Sequence, residues 1–129
     1  MTLRKRNASR MLFCAIAVMA LLSVPALNAD VPDSQQHEVL HLLEFVRTTS
    51  CRLERNGKQY NGAEAFDHIQ KKYRHFRDEI TNTEQFIEKS ATRSAVSGAY
   101  YYIHCGGNNR KTGGWLLDEL ARYRQAHGE

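Results

Sequence analysis

Once its first ten residues are set aside, this sequence has no surplus of positive charge. The chain carries 18 basic and 14 acidic side chains, but Arg4, Lys5, Arg6 and Arg10 stand together at the start. From Asp30 onward basic and acidic side chains are equal in number and interspersed. A surface that neutralises phosphates needs a basic excess, so nucleic acid is excluded as a partner. Long apolar runs are missing too. Residues 11–22 are apolar but fall short of the roughly 20 a membrane span requires, and Pro25 follows closely. There are no internal repeats, no Ser-His-Asp or Cys-His set, and no glycine loop built for a nucleotide. No cofactor is implied.

What is present at the start has a familiar order: a basic segment, a short apolar core, then Ser23, Val24, Pro25 and Ala26. This describes a signal peptide over residues 1–29, cleaved after Ala26 or Ala29. Cleavage leaves no membrane anchor and removes Cys14, one of three cysteines. The remaining two, Cys51 and Cys105, are expected to form a disulfide outside the cytoplasm.

Residues 30–36 read as a loose polar leader, and residues 37–126 as one domain. Asp33 or Ser34 is expected to cap a first helix with Val39, Leu42, Leu43 and Val46 on one face. Asn56-Gly57 suits a type I′ turn, which predicts a hairpin pairing Arg55 with Lys58 and Leu53 with Tyr60, with Cys51 and Leu53 facing inward. Asn61 and Glu64 have capping-box spacing at the head of a second helix, whose apolar stripe is Phe66, Ile69, Tyr73, Phe76 and Ile80. A shorter helix follows around Phe86 and Ile87. Residues 100–105 alternate as a third strand, with Tyr101, Ile103 and Cys105 on one face and Tyr100, Tyr102 and His104 on the other. Residues 106–114 read as a flexible loop, and Trp115, Leu116, Leu120 and Tyr123 mark a final helix. The expected fold is α+β: a small antiparallel sheet of a hairpin plus a third strand, packed with about four helices.

The succession Leu42-Leu43-Glu44-Phe45-Val46, Arg55-Asn56-Gly57, Glu64-Ala65 with His68 and Lys72, Thr83-Glu84-Gln85-Phe86-Ile87, and Ser97-Gly98 before Tyr101 resembles the domain of unknown function 5329 family of small exported proteobacterial proteins. The resemblance spans roughly residues 41–124. It implies a periplasmic location and a single compact domain, and it implies no activity. Ala99-Tyr100 departs from the family's habit of a proline before the strand tyrosine.

Three constellations could carry function. His37-Glu38-Val39-Leu40-His41 fits HExxH, which in zinc peptidases sets two imidazoles and a general-base glutamate on one helix face. It opens the domain's first helix instead of following a sheet, and no third ligand is assigned, so His37 and His41 read as an accidental match. Glu64, His68 and Lys72 recur at four-residue spacing. They are expected either to support their helix as a solvated ladder or to form a site for an acidic ligand or acid–base chemistry. Glu64 one turn before His68 would favour the imidazolium and make such a site pH-dependent near neutrality. Tyr100, Tyr102 and His104 offer rigid amphipathic contact area, if no helix covers them. The expectation is a non-catalytic periplasmic module binding an envelope protein or a small acidic ligand. A small hydrolase or metal-binding protein using Glu64, His68 and Lys72 is the alternative.

Overall fold

A computed structural model describes residues 29–128 of the chain. The expected signal segment and Cys14 lie outside the described residues. The fold is α+β. In chain order it runs α1 (Gln36–Thr48), β1 (Arg52–Arg55), β2 (Lys58–Tyr60), α2 (Gly62–Phe76), α3 (Thr83–Ala91), β3 (Tyr102–Cys105), β4 (Asn108–Lys111) and α4 (Thr112–His127). The strands form one antiparallel sheet in the order β2-β1-β3-β4.

The hairpin follows from its turn. Asn56 and Gly57 have φ of 50° and 79°, the left-handed pair a type I′ turn needs, and Leu53 faces Tyr60 and Arg55 faces Lys58 as expected. The sheet has a fourth strand where a flexible loop was expected. Gly106 and Gly107, at φ of 56° and 86°, repeat the same turn geometry and return the chain as β4. That strand reads Asn108-Asn109-Arg110-Lys111 and is exposed throughout, so it has no apolar alternation to reveal it.

Leu53 and Ile103 on the inner sheet face join Leu42, Leu43, Val46, Ile69, Phe86, Ile87, Leu116 and Leu120 in one core. The outer face is not covered: Tyr100 and Tyr102 remain 40% and 37% exposed. Residues 30–36 are packed and not loose. Val31 is only 3% exposed, and Asp30 accepts a 2.6 Å hydrogen bond from the Tyr73 hydroxyl. A short 3₁₀ turn, Asp33–Gln35, leads into α1, and neither Asp33 nor Ser34 caps that helix. The Gln35 side chain instead accepts from the backbone N–H of Thr83 at the head of α3 (3.0 Å), satisfying a donor that its own helix cannot.

Helix α2 positions the site and is fixed at its N-terminus. Asn61 and Glu64 form the expected capping box, with both reciprocal hydrogen bonds at 2.9 Å. Gly62 lets the helix start against the end of α1. A Cβ there would stand 2.6 Å from the Val46 carbonyl oxygen and 2.8 Å from that of Arg47, closer than any side chain tolerates. The Cys51–Cys105 disulfide joins the residue before β1 to the last residue of β3.

Candidate functional site

Strand β1 pairs with β3 so that Leu53 faces Ile103 and Glu54 faces Tyr102. Continuing that register sets Arg55 across from Tyr101, both on the inner face. Cys51 meets Cys105 at the other end of the same ladder. Helix α2 crosses this inner face and adds His68 and Lys72, one turn apart. These four side chains line a cavity of about 530 Å³ together with Lys71, His75, Phe76 and the turn residues Ser94, Ala95 and Val96.

Hydrogen-bond directions within the cluster follow from its chemistry. Arg55 has only donors, so its Nη1, 2.7 Å from His68 Nδ1, makes Nδ1 the acceptor. The imidazole proton then sits on Nε2 and is donated to the Tyr101 hydroxyl at 3.0 Å. Lys72 Nζ donates to the same hydroxyl at 3.3 Å and to the Arg93 carbonyl oxygen at 2.5 Å. The Tyr101 oxygen therefore accepts twice, and its own proton meets no acceptor among the described residues. The remaining guanidinium N–H groups of Arg55 are in the same position, with the cation lying 4.8 Å over the Tyr60 ring. Every charged side chain lining the cavity is basic, and no carboxylate lines it. The acceptors that do line it, Asn56 Oδ1 and Ser94 Oγ, are taken up by Ser97 and by the backbone of the 94–97 turn.

This crowding shifts the titrating groups. Burial, then Arg55, Lys72 and Lys71, push the His68 imidazole down to about 4. Burial and Arg55 lower the Lys72 ammonium to about 8. Burial raises the Tyr101 phenol, against a smaller opposing effect of Arg55, and keeps it a neutral donor. The expected imidazolium at His68 is thus overturned. Glu64, which was to favour it, turns its carboxylate to the Asn61 backbone N–H, while three cations surround the ring. Lys72, not His68, is the group that changes charge just above neutrality.

A stability consequence follows, with a definite sign. Folded His68 takes its proton near pH 4, whereas an unfolded histidine does so near 6.5, so the unfolded chain binds more protons between these values. The stability His68 contributes is complete above pH 6.5 and is lost as pH falls toward 4. His68→Gln should leave stability at pH 7 within about 0.5 kcal/mol of wild type. At pH 4.5 the variant should be the more stable by about 1 kcal/mol, since partial exposure screens the effect. Urea denaturation at the two pH values measures both.

The other expected residues lie elsewhere. Tyr100, Tyr102 and His104 belong to the outer face and do not meet His68 or Lys72. Lys111 Nζ lies 3.9 Å over the Tyr100 ring, and His104 Nε2 is 2.6 Å from Glu54. Within HExxH, Glu38 is 2% exposed and held bidentately by Arg124 at 2.7 and 2.9 Å, which removes it as a general base. His37 Nδ1 is 3.1 Å from the Tyr123 hydroxyl, and His41 Nε2 is 2.6 Å from Glu119. Among the described residues no group of three or more His, Cys, Asp or Glu side chains is placed to hold a metal ion. Glu64, at its helix cap, does not line the cavity, so the fold brings His68 and Lys72 together there without it.

Arg55, Tyr101, Lys71 and His75 were not singled out from the sequence. Arg55 was within reach: the inner-face alternation Cys51, Leu53 continues to Arg55.

Comparison with known proteins gives consistent results. The family model described as "Family of unknown function (DUF5329)" matches residues 33–124. The uncharacterized protein YfeK of Salmonella typhimurium is 32% identical over 89 residues, covering 68% of this chain and 72% of that protein. No solved structure matches. Among the described residues no helix is long and apolar enough to cross a membrane.

Proposed function

The chain belongs to the DUF5329 family of unknown function, and we propose that it is an exported periplasmic binding module, without catalysis of its own, for a small acidic ligand. The observation that carries this reading is the composition of the cavity. Arg55, Lys71 and Lys72 converge with the Tyr101 hydroxyl, and no acidic side chain answers them. Holding like charges together and partly out of water costs stability, as the depressed Lys72 and His68 values express. A cluster kept at such a cost marks a functional site more often than a structural one. An anion entering the cavity would satisfy the idle donors and relieve the repulsion together. The volume, about 530 Å³, lies within the roughly 300–1,000 Å³ usual for small-molecule sites, which favours a small ligand over an envelope protein. Export is supported by the basic, then apolar, N-terminal sequence and by the disulfide.

Sulfate is a suitable probe, since it stays anionic across the working pH range. In calorimetry at pH 7 and constant ionic strength, wild type should bind it. Arg55→Gln and Lys72→Met should each weaken binding about tenfold or more, as expected when a charge-assisted hydrogen bond is removed. Affinity should also fall between pH 7 and 9 as Lys72 loses its proton. Equal affinity in wild type and both variants would overturn the reading.

A further inference from the structure

The cavity lining is chemically mixed. Arg55 from β1, His68 and Lys72 from α2 and the Tyr101 hydroxyl form one hydrogen-bonded group. Phe76, one turn beyond Lys72 and with its ring 6.0 Å from Lys72 Nζ, and the dipeptide Ala95-Val96 add apolar surface to the same lining.

Val96 is 99% exposed, yet its position is well defined. Ser94 Oγ accepts from the backbone N–H groups of Val96 and Ser97 at 3.3 and 3.2 Å. The backbone N–H of Gly98 donates to the Ser94 carbonyl at 2.9 Å, with Gly98 at φ 73°. Ser97 Oγ donates to Asn56 Oδ1 at 2.9 Å, tying the turn to the β1–β2 hairpin. The tip of such a turn is ordinarily polar. Nothing in these hydrogen bonds requires apolar side chains at 95 and 96, and neither is buried in the core.

An adjoining hollow of about 400 Å³ offers an internal contrast. It shares Lys72, Phe76, Ser94 and Ala95 with the first cavity, but its other cations are matched: Arg93 pairs with Glu88 at 2.8 Å and Lys89 with Glu79 at 2.9 Å. Lys72, which no carboxylate answers among the described residues, lines both hollows, whereas Arg55 and Val96 line only the larger one.

We propose that the ligand is an amphiphile, one anionic head on a short apolar body. The head lies against Arg55, Lys72 and the Tyr101 hydroxyl, and the body against Phe76 and Val96. The proposal rests on the anion-site reading above and adds the apolar half. A carboxylate and a phosphate monoester present the same oxygen acceptors to these donors.

Calorimetry at pH 7 and constant ionic strength separates the possibilities, using acetate, hexanoate, inorganic phosphate, hexyl phosphate and hexanol as probes. Hexanoate should bind at least about tenfold tighter than acetate, or hexyl phosphate at least about tenfold tighter than phosphate, because buried methylenes add affinity. The pair that shows this identifies the head. Hexanol should not bind measurably, and Val96→Ser should bring the tailed-to-untailed ratio closer to one. If the head-only anions bind as tightly as their tailed partners, the apolar half is wrong and the anion site stands. Hexanol binding as tightly as hexanoate, or no anion binding at all, would remove both.

Discussion

Replacing Cys51 and Cys105 together by serine should lower the free energy of unfolding by about 4 kcal/mol. The two sulfurs close a loop with a sequence separation of 54, and a constraint of that length on the unfolded chain is worth about this much on the chain-entropy model. A domain of this size holds perhaps 5–15 kcal/mol in all, so the loss should be plain in urea denaturation of the double variant. Ligand binding should suffer as well, for a reason in the sheet. The disulfide pins the end of the ladder whose other end sets Arg55 across from Tyr101. A one-residue slip between β1 and β3 would send Arg55 to the outer face. A double variant as stable as wild type would show that the core alone holds the register.

The second large effect concerns the glutamate of the HExxH sequence. Arg124→Met should cost about 3 kcal/mol, because it strands a buried carboxylate. In the wild type, burial of Glu38 works against its ionisation, but hydrogen bonds from Arg124 and Thr83 override this and lower its pKa. Its contribution to stability is therefore present above the ordinary carboxylate range and lost as pH falls through the lowered value. In the variant the sign reverses: burial alone would raise the pKa, so the deficit should shrink as pH falls from 7 toward 4. The double variant Glu38→Leu, Arg124→Met should recover most of the loss, since an apolar pair of similar volume serves a core as well as an ion pair does. A deficit for Arg124→Met that does not change with pH would mean that the aliphatic stem of Arg124 matters more than its charge.

Much of the fold was legible because its local signals agree with its tertiary contacts. Asn56-Gly57 dictates one turn and hence the register of β1 with β2, and the inward alternation of Tyr101, Ile103 and Cys105 was clear. The capping pair Asn61 and Glu64 likewise located the start of α2. Strand β4 was hidden because it is an exposed edge of four polar residues whose only mark is the Gly106-Gly107 turn. The first turn of α4 was obscured by Gly113 and Gly114. Gly113 is there for closeness, as a Cβ would come within 2.9 Å of Thr92 Oγ1. Helical spacing grouped Glu64, His68 and Lys72; the fold places the last two at one cavity, while the capping role of Glu64 turns it away. Arg55 and Tyr101 escaped for different reasons. The first reads as a solvated hairpin residue beside the Asn56-Gly57 turn, although the inner-face alternation of its strand continues to it and His68 follows only 13 residues later. The second reads as a core aromatic, which its ring is, while its hydroxyl serves the cavity.

That an anion belongs between Arg55, Lys72 and Tyr101 is tested most directly by the imidazole of His68, which reports on the charge around it. In nuclear magnetic resonance titrations the free protein's His68 should take its proton near pH 4. With saturating sulfate the added negative charge should move that titration upward by a unit or more, and Lys72→Met should need about tenfold more sulfate to reach its own limiting shift. A His68 titration unchanged by sulfate, with the anion's perturbations falling on other residues, would contradict an anion site in this cavity.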